Sequence, residues 1–139
     1  MLYEHLGQGP RVDPSAVVAP TAVVSGDVTI GPGCQILHGA VITAEGGPIT
    51  IGARSEVRIN AVVHLRTVLP EGSTVPIAWV AVGDPAEILS PDRHEEIWAI
   101  QQGLDFPGYV FGLDRATPDL MVQLTERYAR HLARHADDR

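Results

Sequence analysis

The sequence predicts a mainly β fold, a short parallel β-helix built from hexapeptide repeats and followed by C-terminal α-helices. Two patterns support this: an aliphatic residue recurs at every sixth position, and small or turn-forming residues follow it. Composition agrees, since Val, Ile and Ala abound while aromatic residues make up only 5% of the chain. Cores of short aliphatic side chains stacked in rows are typical of repeat architectures.

The aliphatic row keeps its spacing of six to Ile42, and after the insertion EGGP it resumes at Ile51. Its members are Val12, Val18, Val24, Ile30, Ile36, Ile42, Ile51, Val57, Val63, Leu69 and Val75. A period of six matches neither an amphipathic helix nor a half-buried strand. It matches a triangular coil of three six-residue rungs, so we expect about four coils with the aliphatic side chains inside.

The residues after the row members set the corners of the coils. They are mostly small or turn-forming, namely Asp13, Ala19, Ser25, Gly31, Thr43 and Gly52. Glycine and proline suit such corners because turns need their backbone geometry. We expect the β-helix over residues 11–89, closed by WVAVGDPAEIL, and a helical extension over residues 90–139.

Two helices are expected in the extension. Ser90 is a candidate cap of the first helix, with Pro91 in its first turn and apolar residues at Ile97, Ile100 and Leu104. The segment DFPGYVFGLDRA is predicted to be a linker. Thr117 and Pro118 then begin a second helix, whose apolar stripe consists of Met121, Leu124, Tyr128 and Leu132.

The charge and the cysteine content limit the possible partners and the cellular compartment. The net charge is −7, and all ten basic residues are arginine, without a basic stripe. This argues against nucleic acid and anionic membranes as partners. The N-terminus has no apolar stretch of signal-peptide length and no segment is long enough to span a bilayer. Cys34 is the single cysteine, so an intrachain disulfide is excluded and a cytoplasmic protein is expected.

The segment GDVTIGPGCQILHGAVITAEGGPITIGARSEVRINAVVH, residues 26–64, resembles the γ-class carbonic anhydrases and their hexapeptide-repeat relatives. The resemblance extends over about residues 11–89 and implies a left-handed β-helix that assembles as a homotrimer. It also implies zinc or another divalent metal at the subunit interface, held by three histidines from two subunits. Such a metal keeps an open position for water and generates hydroxide for attack on carbon dioxide.

The resemblance implies an incomplete metal site. His64, in NAVVH, matches the first ligand histidine, but the coil that carries the other two is absent. Directly after His64 the chain runs LRTVLPEG into the closing segment. Thr43 and Glu45 stand where the family has the arginine and aspartate of RGD, and Arg58 replaces a glutamine that orients the metal-bound hydroxide. An arginine beside histidines would repel a dication.

The sequence therefore favours a structural, binding or regulatory homotrimer without carbonic anhydrase activity and without a resident cofactor. One alternative is an active, zinc-dependent carbonic anhydrase with a rebuilt interface site. Its metal ligands would be His64 and a neighbouring subunit's His38, with Glu45 as a third. A second alternative is a hexapeptide acyltransferase, but Glu87 occupies the place of the lysine that suits coenzyme A phosphates. No small-molecule ligand is indicated.

Overall fold

A computed structural model describes residues 1–136, so the last three residues of the expected extension lie outside the described part. Its strands are β1 (Leu2–Tyr3), β2 (Arg11–Val12), β3 (Val17–Val18), β4 (Val23–Ser25), β5 (Val28–Ile30), β6 (Gln35–Ile36), β7 (Val41–Thr43), β8 (Ile49–Ile51), β9 (Glu56–Val57), β10 (Val62–Val63), β11 (Val68–Leu69), β12 (Thr74–Val75), β13 (Val80–Val82) and β14 (Glu87–Leu89). Its helices are α1 (His94–Gly103), α2 (Phe106–Phe111) and α3 (Leu120–Ala133).

The strands form the three walls of a β-helix. Sheet A has the order β1-β4-β7-β10-β13-β14, sheet B the order β2-β5-β8-β11, and sheet C the order β3-β6-β9-β12. Neighbouring strands are parallel except for β13 and β14, which form an antiparallel pair at one end. The short left-handed parallel β-helix of about four coils with C-terminal helices is thereby confirmed.

The aliphatic row forms the core of this β-helix. Each row member from Val12 to Val75 lies in a strand, and those from Val24 onward are at most 1% exposed. Val12 and Val18, in the first coil, are only half-buried. Parallel registers stack the row directly, as in the Ile30, Ile51 and Leu69 positions of sheet B. The six-residue period therefore specifies both the inward side chains and the register between coils.

Small residues at the corners let successive coils approach closely. The backbone N–H of Gly52 donates to the carbonyl of Leu69 at 2.8 Å. A Cβ atom at Gly52 would lie 2.5 Å from the backbone nitrogen of Glu71 and 2.7 Å from the carbonyl carbon of Pro70. Gly52 is thus required by the backbone of the next coil, since its own φ is not in the left-handed region.

The described residues divide into two compact units, one ending at Ile100 and the other beginning at Gln101. In the second unit the predicted linker is wrong, because residues 106–111 form α2. The rings of Phe106 and Phe111 pack edge to face at 5.5 Å. Gly112 ends the helix in the left-handed conformation with φ of 64°. Tertiary packing of the aromatic rings thus outweighs the turn propensity of the Pro107-Gly108 pair.

Both predicted helix starts are too early. The carbonyl of Ser90 accepts the N–H of Arg93 in a turn, and α1 begins only at His94. Thr117 likewise donates its N–H to Asp114 in a turn, and α3 begins at Leu120. Both residues lie in turns that precede the helices. Within residues 1–136 the longest helix, α3, has 14 residues, and none there has the length and apolarity of a membrane span.

Candidate functional site

His64 directly follows strand β10 of sheet A. Its backbone N–H donates to the carbonyl of Ala81 in the next coil at 2.9 Å, which fixes the position of the residue. The imidazole is half-buried, and this desolvation lowers the pKa of His64 below its ordinary value of 6.5. The ring is therefore held in its neutral form, the form that binds metal ions.

The neighbours of His64 in adjacent coils are not metal ligands. Ile42 pairs with Val63, and Val63 pairs with Ala81. Continuing that register places Thr43 one coil before His64 and Val82 one coil after it. Ser25 stands one coil further, opposite Thr43. This column offers two hydroxyls and an aliphatic side chain, so it supplies no second imidazole or carboxylate.

His38 lies at the other end of the sheet A strands, in the corner that precedes β7. It is exposed, and its Nδ1 is 2.6 Å from the hydroxyl oxygen of Thr21. A three-residue strand such as β7 is about 10 Å long. One chain therefore does not bring His38 and His64 together, and a shared metal would need a second subunit.

Glu45 makes a contact that the sequence did not indicate. Its Oε2 lies 3.7 Å from Nε2 of His5, and the two side chains are only 12% and 6% exposed. His5 reaches this position because β1 joins sheet A, with Leu2 paired to Val24. His5 precedes the hexapeptide row, so the repeat pattern gave no signal for it. Glu45 thus contacts a side chain of its own chain.

Arg58 lies in the corner before β10, on the same side of sheet A as His38. Its Nε donates to Oε2 of Glu56 at 2.9 Å, and its side chain is 46% exposed. This ion pair lies within one chain. Because Arg58 and His64 lie at opposite ends of β10, the guanidinium does not border the imidazole within a subunit.

A zinc centre that contains His64 or His38 is not completed by the residues of one chain. Catalytic zinc sites use three protein ligands and an open position. Within residues 1–136, neither His64 nor His38 belongs to a group of three His, Cys, Asp or Glu side chains with ligand atoms within 4.8 Å of one another. The assignment of His64 and His38 as metal ligands stays a prediction about two subunits.

Comparison with models of known protein families gives no match. The chain is 37% identical over 79 residues to gamma carbonic anhydrase 3, mitochondrial, of Arabidopsis thaliana, covering 57% of this chain and 30% of that protein. It is 38% identical over 82 residues to gamma carbonic anhydrase-like 1, mitochondrial, of the same plant, covering 56% of this chain and 32% of that protein. The chain is a hexapeptide-repeat relative of the γ-class carbonic anhydrases.

This γ-carbonic anhydrase relative spans about a third of the length of the curated proteins it matches. Among solved structures, a hexapeptide transferase family protein from Anaplasma phagocytophilum aligns with 78% of this chain and 93% of its own. That alignment has 20% sequence identity and a TM-score of 0.32. The sequence comparisons confirm the resemblance to γ-class carbonic anhydrases, whereas the metal ligands rest on the sequence pattern.

Proposed function

We propose that this γ-carbonic anhydrase relative is a non-catalytic cytoplasmic homotrimer, assembled through the outer face of sheet A. The main support for the loss of catalysis is the set of residues stacked above and below His64 in adjacent coils. Thr43 and Val82, its neighbours in the adjacent coils, cannot bind zinc as imidazoles do. Removing two of three ligands leaves a single neutral imidazole, which is too few for a catalytic zinc site.

The residues that would support the metal are also changed. Well-bound zinc needs partners that orient its ligands, and replacing such partners weakens binding. Glu45 contacts His5, and Arg58 contacts Glu56. Both side chains therefore serve contacts inside the chain. We infer that the chain keeps the β-helix of its relatives but has lost the reaction. Its binding partners are further copies of the same chain, not nucleic acid or a membrane.

The outer face of sheet A supports assembly. Its outward positions in four successive coils are all valine, namely Val23, Val41, Val62 and Val80. The equivalent positions are mostly polar in the other two walls: Arg11, Thr29, Thr50 and Val68 in sheet B, and Val17, Gln35, Glu56 and Thr74 in sheet C. Sheet A thus presents the apolar wall, and at its edge Ile59 and Ile77 are 42% and 58% exposed. Apolar ladders of this kind favour contact with another protein surface.

The proposal is tested by metal content and activity of protein purified without an affinity tag. We expect a metal content far below one ion per chain and no carbon dioxide hydration above the buffer rate. Stoichiometric zinc or iron, together with hydration that His64→Ala abolishes, would overturn the loss of catalysis. It would favour the alternative of an active enzyme whose exposed His38 completes a neighbour's site, and His38→Ala would then lose metal as well.

Assembly is tested separately by light scattering. A homotrimer of the 14.9 kDa chain has a mass of about 45 kDa. Val41→Glu, on the valine ladder, should lower that mass. Val17→Glu is the matched control, because Val17 is 63% exposed on sheet C and lies on a polar wall. A monomeric wild type, or equal masses for both variants, would contradict the assembly through sheet A.

A further inference from the structure

Helix α3 carries an uncharged strip on its exposed side. On a helix with about 100° per residue, this outer strip falls within a sector of about 120°. It consists of Met121, Val122, Thr125, Ala129, Leu132 and Ala133. Three of its side chains are largely exposed, at 67% for Met121, 58% for Val122 and 54% for Leu132. Large apolar side chains grouped on one exposed face mark a contact surface.

The outer strip differs from the face by which α3 packs in its own unit. The ring of Phe111, from α2, lies 5.7 Å from Tyr128 and 5.1 Å from His131. Arg127 Nη1 also donates to the carbonyl of Phe111 at 2.5 Å. Arg127 and His131 lie on the side of α3 away from Thr125 and Ala129, and Tyr128 borders the outer strip beside Met121. The apolar surface of the helix therefore extends beyond the face that α2 covers.

The outer strip is shaped for another helix. The hydroxyl of Thr125 donates to the carbonyl of Met121 at 2.7 Å, so this side chain presents its methyl group outward. A groove of about 510 Å³ is lined by Met121, Val122, Thr125, Glu126 and Ala129. Small residues at Ala129 and Ala133 allow a partner helix to approach at the short end of the usual 8–10 Å range.

Charged residues beside the outer strip indicate what covers it. Glu126 and Arg130 lie next to each other along one border, and neither forms a salt bridge within residues 1–136. If two α3 helices pair antiparallel about a point near Tyr128, Glu126 of each lies opposite Arg130 of the other. The same arrangement places Thr125 within about one residue of the height of Leu132. In a parallel pair, identical residues of the two helices lie at the same height along the axis. Glu126 would then have no opposite charge across the interface.

We propose that the outer strip of α3 binds the outer strip of a second copy of this chain in antiparallel orientation. The strip is about 18 Å long and one helix wide, so it covers on the order of 200 Å² per copy. Stable interfaces bury about 800 Å² per partner. The pairing is therefore weak and depends on protein concentration, and a trimer that presents three strips would strengthen it through multivalency.

The pairing is tested by sedimentation velocity on the full chain, from low micromolar to near-millimolar concentration. We expect the mass of the smallest wild-type species, whether monomer or trimer, to double as concentration rises. Leu132→Glu should abolish the doubling, because it places a charge in the strip. Val17→Glu, an exposed valine of the β-helix, should preserve it. Circular dichroism checks that each variant keeps its helices.

A charge exchange tests the antiparallel register. Glu126→Arg should weaken the pairing about tenfold, since two reciprocal ion pairs become repulsive contacts. The double variant Glu126→Arg with Arg130→Glu should restore it. A wild-type mass that is independent of concentration would overturn the proposal. Doubling of the mass that persists in Leu132→Glu would also overturn it, because self-association would then use another surface. The same holds if the double variant associates as weakly as Glu126→Arg alone.

Discussion

Gly52→Ala probes how closely the coils of the β-helix stack. The new Cβ would lie 2.5 Å from the backbone nitrogen of Glu71 and 2.8 Å from the carbonyl oxygen of Leu69. Ordinary contact begins near 3.4 Å, so the two coils must separate by about 0.9 Å. Because the neighbouring atoms are backbone, no rotation of a side chain relieves the clash.

The cost follows from the bonds that join these coils. The Gly52 N–H donates to Leu69 at 2.8 Å, and the Gly72 N–H donates to Ala53 at 2.9 Å. A shift of 0.9 Å stretches both beyond hydrogen-bonding distance. Two such bonds are worth about 1 kcal/mol each, and overpacking adds about 1–3 kcal/mol. We expect a loss of about 3–5 kcal/mol in the free energy of unfolding, which corresponds to a Tm lower by about 10–17 °C.

The measurement is thermal and urea unfolding of the variant beside wild type. Gly9→Ala is the matched control, because a Cβ there meets nothing within 4 Å and the backbone is not in the left-handed region. Gly9→Ala should leave Tm within about 2 °C of wild type. A Gly52→Ala protein as stable as this control would refute the view that glycine is required by the backbone of the next coil.

The remaining predictions concern His64 and the helical unit. Burial lowers the pKa of His64, so the unfolded chain binds this proton more readily than the folded one. The contribution of the neutral His64 ring to the free energy of unfolding is therefore full above pH 6.5. It is lost as the pH falls from 6.5 toward the pKa of His64 in the folded protein. His64→Gln should therefore flatten the decrease of Tm between neutral pH and mild acid, and an unchanged pH profile would contradict the effect. Phe111→Ala should destabilise the α2–α3 packing by about 3 kcal/mol and Phe111→Leu by much less, as read from helix unfolding by circular dichroism. Equal loss in the two variants would argue against a role for ring packing.

The β-helix could be predicted because its period is local. Each row member lies in a strand, and Ile36, Ile42 and Val57 are fully buried as the spacing indicates. A repeat that defines one coil also defines the next, so register follows without knowledge of distant contacts. The family resemblance could be recognised from the same stretch, because its motifs lie within residues 26–64.

The features that were missed depend on contacts between distant segments. His5 and Glu45 meet because β1 joins sheet A, and no periodic signal connects positions forty residues apart. Helix α2 forms where Pro107 and Gly108 suggest a linker, since the packing of Phe111 against Tyr128 stabilises it. The exposure of Met121 and Leu132 could not be predicted either, because an apolar stripe on a helix does not show which of its residues pack inward.

The brevity of the strands has a consequence for aggregation. A chain this rich in β-branched residues contains the side chains that favour cross-β fibrils. Yet the outermost strands of sheet B (β2, β11) and sheet C (β3, β12) are only two residues long. The backbone then turns a corner, so each wall offers an incoming strand too few consecutive donors and acceptors to act as a template. The same triangular winding that stacks the core thus keeps its own sheet edges from recruiting further chains.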